Sequence, residues 1–132
     1  SLSKTVATTR AKAEISRALE TKMSTMVKSF LQASGMGADA GALEFTEDVT
    51  KSVSSTTLKG CTVDKTEIHK GRVFVMVTYD ATEARMQAKE ATRSAAKKKE
   101  ALYNEFKAKQ GFDALDKEID GMETSSSVAS PE

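Results

Sequence analysis

Apolar residues recur at steps of three and four from about Thr5 to Ala33: Ala11, Ile15, Leu19, Met23, Met26, Val27, Phe30 and Leu31. That spacing predicts an amphipathic helix, with Arg10, Lys12, Glu14, Arg17, Glu20 and Lys28 on its wet face. A helix over this span is roughly 42 Å long at ~1.5 Å per residue. It exceeds what a compact domain needs, so it is expected to bend or to project toward a partner. Gly35, Gly37 and Gly41 end it in a loop. Phe45, Val49 and Val53 keep a step of four, which predicts a second helix over Leu43–Lys59 despite the strand-like composition of its last residues. Gly60 is expected to close it in a left-handed conformation.

The pattern then changes period. Cys61–His69 and Arg72–Tyr79 flank Lys70-Gly71, a two-residue hairpin signal. The second strand, Val73 to Val77, is apolar on both faces, and such a strand needs cover on both sides. Asp80, with Glu83 three residues on, forms a capping box for a long third helix. Its stripe of Ala84, Ala88, Ala91, Ala95, Leu102 and Phe106 runs to Gln110-Gly111. A short further helix around Leu115 and Ile119 is expected to start on Asp113. Residues 123–132 read as a disordered tail. The expected fold is therefore α+β: two N-terminal helices, a β-hairpin and a long C-terminal helix on a small antiparallel sheet, in one domain over 1–122.

Composition narrows the function classes. The 132 residues carry 20 Lys+Arg against 19 Asp+Glu, a balance with no global field for polyanions or anionic lipid. One cysteine and one histidine leave no disulfide framework and no Cys- or His-rich metal centre. No cofactor is expected. No apolar run approaches the ~20 residues that span a bilayer.

Candidate chemistry is sparse. His69 lacks a nucleophile at motif spacing, although Glu67 shares its strand face. Cys61 reads as a small buried strand residue, and the six methionines as core filler. The hydroxyls from Ser52 to Thr57 have no His or Lys at a nucleophile-motif spacing, and the Gly35–Gly41 loop follows a helix where a phosphate loop follows a strand. Lys97-Lys98-Lys99 lies in a helix also bearing Arg85, Lys89, Arg93, Lys107 and Lys109, which could track a polyphosphate. Glu83, Glu90, Glu100 and Glu105 break that face up and favour a solvated helix, and no RNA- or DNA-binding motif accompanies it. Residues 110–132 are acidic in compensation. Nucleic acid is not an expected partner.

Three stretches resemble the twenty-kilodalton bacterial envelope lipoprotein family, which includes a surface antigen and flagellar-assembly relatives. Thr9-Arg10-Ala11-Lys12-Ala13-Glu14-Ile15-Ser16-Arg17-Ala18-Leu19 is similar to its opening helix. Thr50 through Leu58-Lys59-Gly60-Cys61 is similar to its approach to a strand, and Arg72–Asp80 to that strand. The likeness covers about residues 8–85. It lacks the family's lipid-carrying cysteine, for which Cys61 does not stand in. The resemblance implies a non-enzymatic α+β protein of the cell envelope, periplasmic or outer-membrane, exported behind a leader since removed. Membrane contact would come only through a lipid anchor outside this sequence.

The expected function is that of a structural or interaction protein, self-associating or bound to another envelope protein. Val73, Val75, Val77 and Lys97, Lys98, Lys99 are its expected contact residues. The alternative is a small-ligand or lipid-binding domain with an apolar groove between helices and hairpin.

Overall fold

The computed structural model describes residues 2–122 and 126–131, with the side chains of Ser126 and Ser127 left aside. It is α+β, with five helices and a three-stranded antiparallel sheet among the described residues. Helix α1 spans Leu2–Ala33 and α2 Ala42–Gly60. Strands β1 (Thr62–His69) and β2 (Arg72–Thr78) form the hairpin. Helices α3 (Ala81–Lys97), α4 (Glu100–Ala108) and α5 (Gly111–Asp120) follow, and β3 (Ser126–Ala129) completes the sheet.

The long first helix does not project. Its buried residues run from Ala7 through Ile15, Leu19 and Met23 to Leu31, so one stripe is covered along nearly its whole length. It lies over β2 and β3 and also packs along α2, which in turn packs against α3. Ser16 and Ser54 meet where α1 crosses α2, with their hydroxyl oxygens 2.7 Å apart. Side chains this small let the two backbones come close.

The second helix forms where the four-residue step places it, burying Phe45, Val49 and Val53. Period decides over the β-branched tail because Thr56 and Thr57 satisfy their hydroxyls within the helix, both donating to the Val53 carbonyl. Gly60 is the last residue of α2 and is not left-handed. Cys61 caps the helix, donating its N–H to the Thr57 carbonyl at 3.0 Å, and so stands outside the strand.

The single long helix expected after Asp80 is two. Asp80 caps α3 as predicted, its carboxylate accepting from the Glu83 N–H at 2.8 Å. The helix then stops at Lys98, and Lys99 is extended (φ −125°, ψ 91°) before α4 begins. Three adjacent ammonium groups offer no i,i+4 pair among themselves to hold that turn. Beyond the break Leu102 is buried and Phe106 enters an aromatic cluster. There the Phe106 ring lies 5.6 Å from Phe30, 5.2 Å from Phe45 and 5.0 Å from Phe112.

Two smaller expectations also shift. Gly111 opens α5 where it was expected to close a helix, and Asp113 lies inside the first turn, leaving left-handed Gln110 as the cap. Within the expected tail, Ser126–Ala129 form a strand that pairs with β2, matching Val75 to Ala129 and Met76 to Val128. Residues 123–125 and 132 of that tail lie outside the described residues.

Candidate functional site

In the hairpin, Lys70 (φ 54°) and Gly71 (φ 77°) are both left-handed, the type I′ geometry that matches strand twist. This fixes the register His69↔Arg72, Ile68↔Val73, Glu67↔Phe74, Thr66↔Val75 and Lys65↔Met76, with a bulge between Val63 and Lys65. Residues directly opposite share a face. Val73, Val75 and Ala129 therefore lie on one side with Thr66 and Ile68. Phe74, Met76 and Val128 lie on the other with Lys65 and Glu67.

The valine face is the inner one. Val75 and Val77 have no solvent exposure, and Val73 is half-buried against the core margin. Of the three valines expected to meet a partner, Val75 and Val77 thus lie in the chain's own core, in the strand against which α1 packs. Ile15 and Leu19 of α1 are buried as Val75 and Val77 are. The outer face carries a shallow depression of about 240 Å³ lined by Lys65, Glu67, Phe74, Met76 and Val128.

Strand β1 stands outside the helical cover. All eight of its residues are exposed, Ile68 at 75%. Helix α1 packs over β2 and β3, and β1 keeps contact chiefly with β2. Among the described residues the strand is thus bare on two faces and along one edge. Sequence reasoning placed the uncovered apolar surface on the second strand. The residues that signal the exposed one, Val63 and Ile68 among polar neighbours, are too sparse to identify it.

The basic run is not a continuous surface. Lys97 ends α3, Lys98 is its cap and Lys99 precedes α4. Lys99 lies across Gly41, and its ammonium pairs with Glu44 at 2.6 Å. Neighbouring cations are engaged likewise: Lys89 with Asp120 at 2.6 Å, and Arg93 with both Asp116 oxygens at 3.0 and 2.7 Å. Arg93 also stacks over Phe112, and the Asp116 hydrogen bond raises its pKa further. Lys97 and Lys98 are exposed.

Groups with reactive potential are dispersed. Cys61 is buried beside Tyr79, and burial pushes its thiol pKa up, with Lys12 opposing weakly. A thiol held protonated is a poor nucleophile. Burial also raises Tyr79, whose hydroxyl has no hydrogen-bond partner among the described residues. The nearby Thr56 hydroxyl, which gives its own proton to the Val53 carbonyl, opposes that rise. His69 is exposed at the far end of β1. Among the described residues, no group of three or more His, Cys, Asp and Glu could hold a metal ion. Among those same residues, no helix is long and apolar enough to cross a membrane.

A second open feature lies between α1 and α5. A groove of about 720 Å³ is lined by Thr21, Thr25, Met26, Lys117, Gly121 and Met122 among others. The methionines take more varied places than core filling: Met23 and Met36 are buried, Met26 and Met76 partly so, and Met86 is exposed.

Comparison with family models, curated proteins and solved structures finds no match.

Proposed function

We propose that this protein is a self-associating structural or interaction protein of the bacterial envelope, with no reaction of its own. The observation that carries the reading is strand β1, an eight-residue strand exposed on both faces and along its edge. A bare edge presents unpaired N–H and C=O groups that template pairing with another chain. The envelope setting rests on the resemblance of residues 8–85 described above. Sedimentation velocity across a concentration series tests the self-association. A rising weight-average mass is expected, and a chain that stays monomeric overturns it.

A second reading, small-ligand or lipid binding, has the α1–α5 groove in its favour, with Met26 and Met122 supplying adaptable apolar surface. It predicts saturable binding of a fatty acid or apolar dye, abolished by Met26→Glu. Titration that stays linear removes it.

A further inference from the structure

We propose that two copies of this chain join edge to edge through β1, around a two-fold axis at Thr66, into one six-stranded antiparallel sheet. This deepens the self-association reading and rests on it. The register supplies the argument. In a type I′ hairpin the pair that closes the turn exchanges both backbone hydrogen bonds, and bonded and non-bonded pairs alternate from there. With His69↔Arg72 closing the turn, His69, Glu67 and Lys65 direct their backbone groups to β2. Thr66 and Ile68 direct theirs to the open edge.

A two-fold axis at Thr66 lets Thr66 of each copy donate its N–H to the carbonyl of the other. The flanking residues then meet in a self-complementary way. Lys65 faces Glu67 of the second copy, and Glu67 faces Lys65 of the second copy. Both contacts are non-hydrogen-bonded pairs, where cross-strand side chains approach most closely. Both residues lie on the outer face, so the two contacts form together. Among the described residues neither Lys65 nor Glu67 is held in an ion pair within its own chain. A charged edge normally repels a second strand. Opposite charges on either side of a threonine instead accept a copy of themselves in antiparallel register.

The helices leave room. Adding two β1 strands side by side separates the two β2 strands by roughly 14 Å, three steps of about 4.8 Å. Since α1 sits over β2 and β3 and not over β1, the two helical layers clear each other. Val63 and Ile68, 39% and 75% exposed, lie on the inner face between them. The bulge at Asp64 ends the regular stretch, so the pairing is short. A contact this small falls below the ~1,200 Å² of a standard interface, and the dimer is accordingly weak and concentration-dependent.

The test is sedimentation velocity on the full chain up to about 1 mM, near the weak end of measurable association. The wild type is expected to dimerise. Thr66→Pro removes an N–H that the hairpin does not use and is tolerated on an edge strand, so it is expected to stay folded and be monomeric. Lys65→Glu and Glu67→Lys each set like charges opposite one another twice, and each is expected to weaken the dimer about tenfold. The double exchange K65E/E67K is expected to restore it. If Thr66→Pro fails to fold, the exchange series decides, and absence of restoration overturns the proposal. If the wild type dimerises and Thr66→Pro dimerises equally, the edge pairing falls while self-association stands. A wild-type chain that is monomeric throughout removes both.

Discussion

Gly60 ends α2 with its Cα against the ring of Tyr79: a Cβ added there would lie 2.5 Å from Tyr79 Cε1 and 3.2 Å from Cδ1 and Cζ. The glycine is thus required by close approach and not by a left-handed backbone. Tyr79 follows β2 and precedes the Asp80 cap, so this one contact locks the end of α2 to the strand-to-helix junction.

Gly60→Ala is therefore expected to destabilise the fold by about 1–3 kcal/mol, the usual cost of overpacking. In a Tyr79→Ala background the same change should cost far less, because the clashing ring is gone. Urea denaturation of the two single variants and the double variant measures this coupling. Additive losses would mean that Gly60 matters for some other reason.

The sheet's two faces make opposite demands. Val75→Ala opens a cavity at a position without solvent exposure and is expected to cost about 2 kcal/mol. Met76→Ala, on the outer face beside exposed Val128, is expected to cost less than about 1 kcal/mol. Equal losses in thermal melts would mean that the outer face is covered.

Much of this architecture is legible in the sequence, and the failures share a cause. Period identifies α1, α2 and the hairpin because each buries a repeated stripe, and Asp80 with Glu83 gives a local start signal. The break at Lys98 is invisible because Ala95, Leu102 and Phe106 keep helical spacing across it; only the aromatic cluster they reach explains the turn. The apolar strand Val73–Val77 is easily read, but which side α1 covers depends on long-range packing. That is why the burial of Val75 and Val77, and the exposure of β1 with its polar composition, are not readable from the sequence.

Alkaline pH is expected to weaken the fold through Cys61 and Tyr79. Burial raises both above their ordinary values of 9.0 and 10.0, so the folded state holds these protons more tightly than the unfolded chain. Their contribution is fully present below pH 9 and is lost as the pH rises past those values toward the folded-state pKa. Thermal melts from pH 7 to pH 11 should show stability falling above pH 9, and Cys61→Ala should flatten the first part of that fall. The same burial predicts slow modification of Cys61 by a thiol reagent at pH 8 and rapid modification in denaturant. Fast labelling of the native chain would show that the thiol is accessible.

The four residues of β3 carry more of the fold than their length suggests. Thr78, Val77, Met76 and Val75 all pair with them, Ala129 is buried against the core, and Arg10 on α1 donates to the Ser130 carbonyl at 3.3 Å. Nothing in a short run of serine, valine and alanine announces a strand, because the pairing is supplied by β2 and the cover by α1. Removing residues 126–132 would leave β2 with an open edge while its inner valines still demand burial. The truncated chain is expected to melt about 5–10 °C lower and to aggregate on heating, as bare edges do. Val128→Lys separates the backbone role from the side chain: it keeps the strand, places a charge on an exposed outer position, and is expected to melt near the wild type. A truncated chain as stable as the full one would mean that β3 only rests on the sheet.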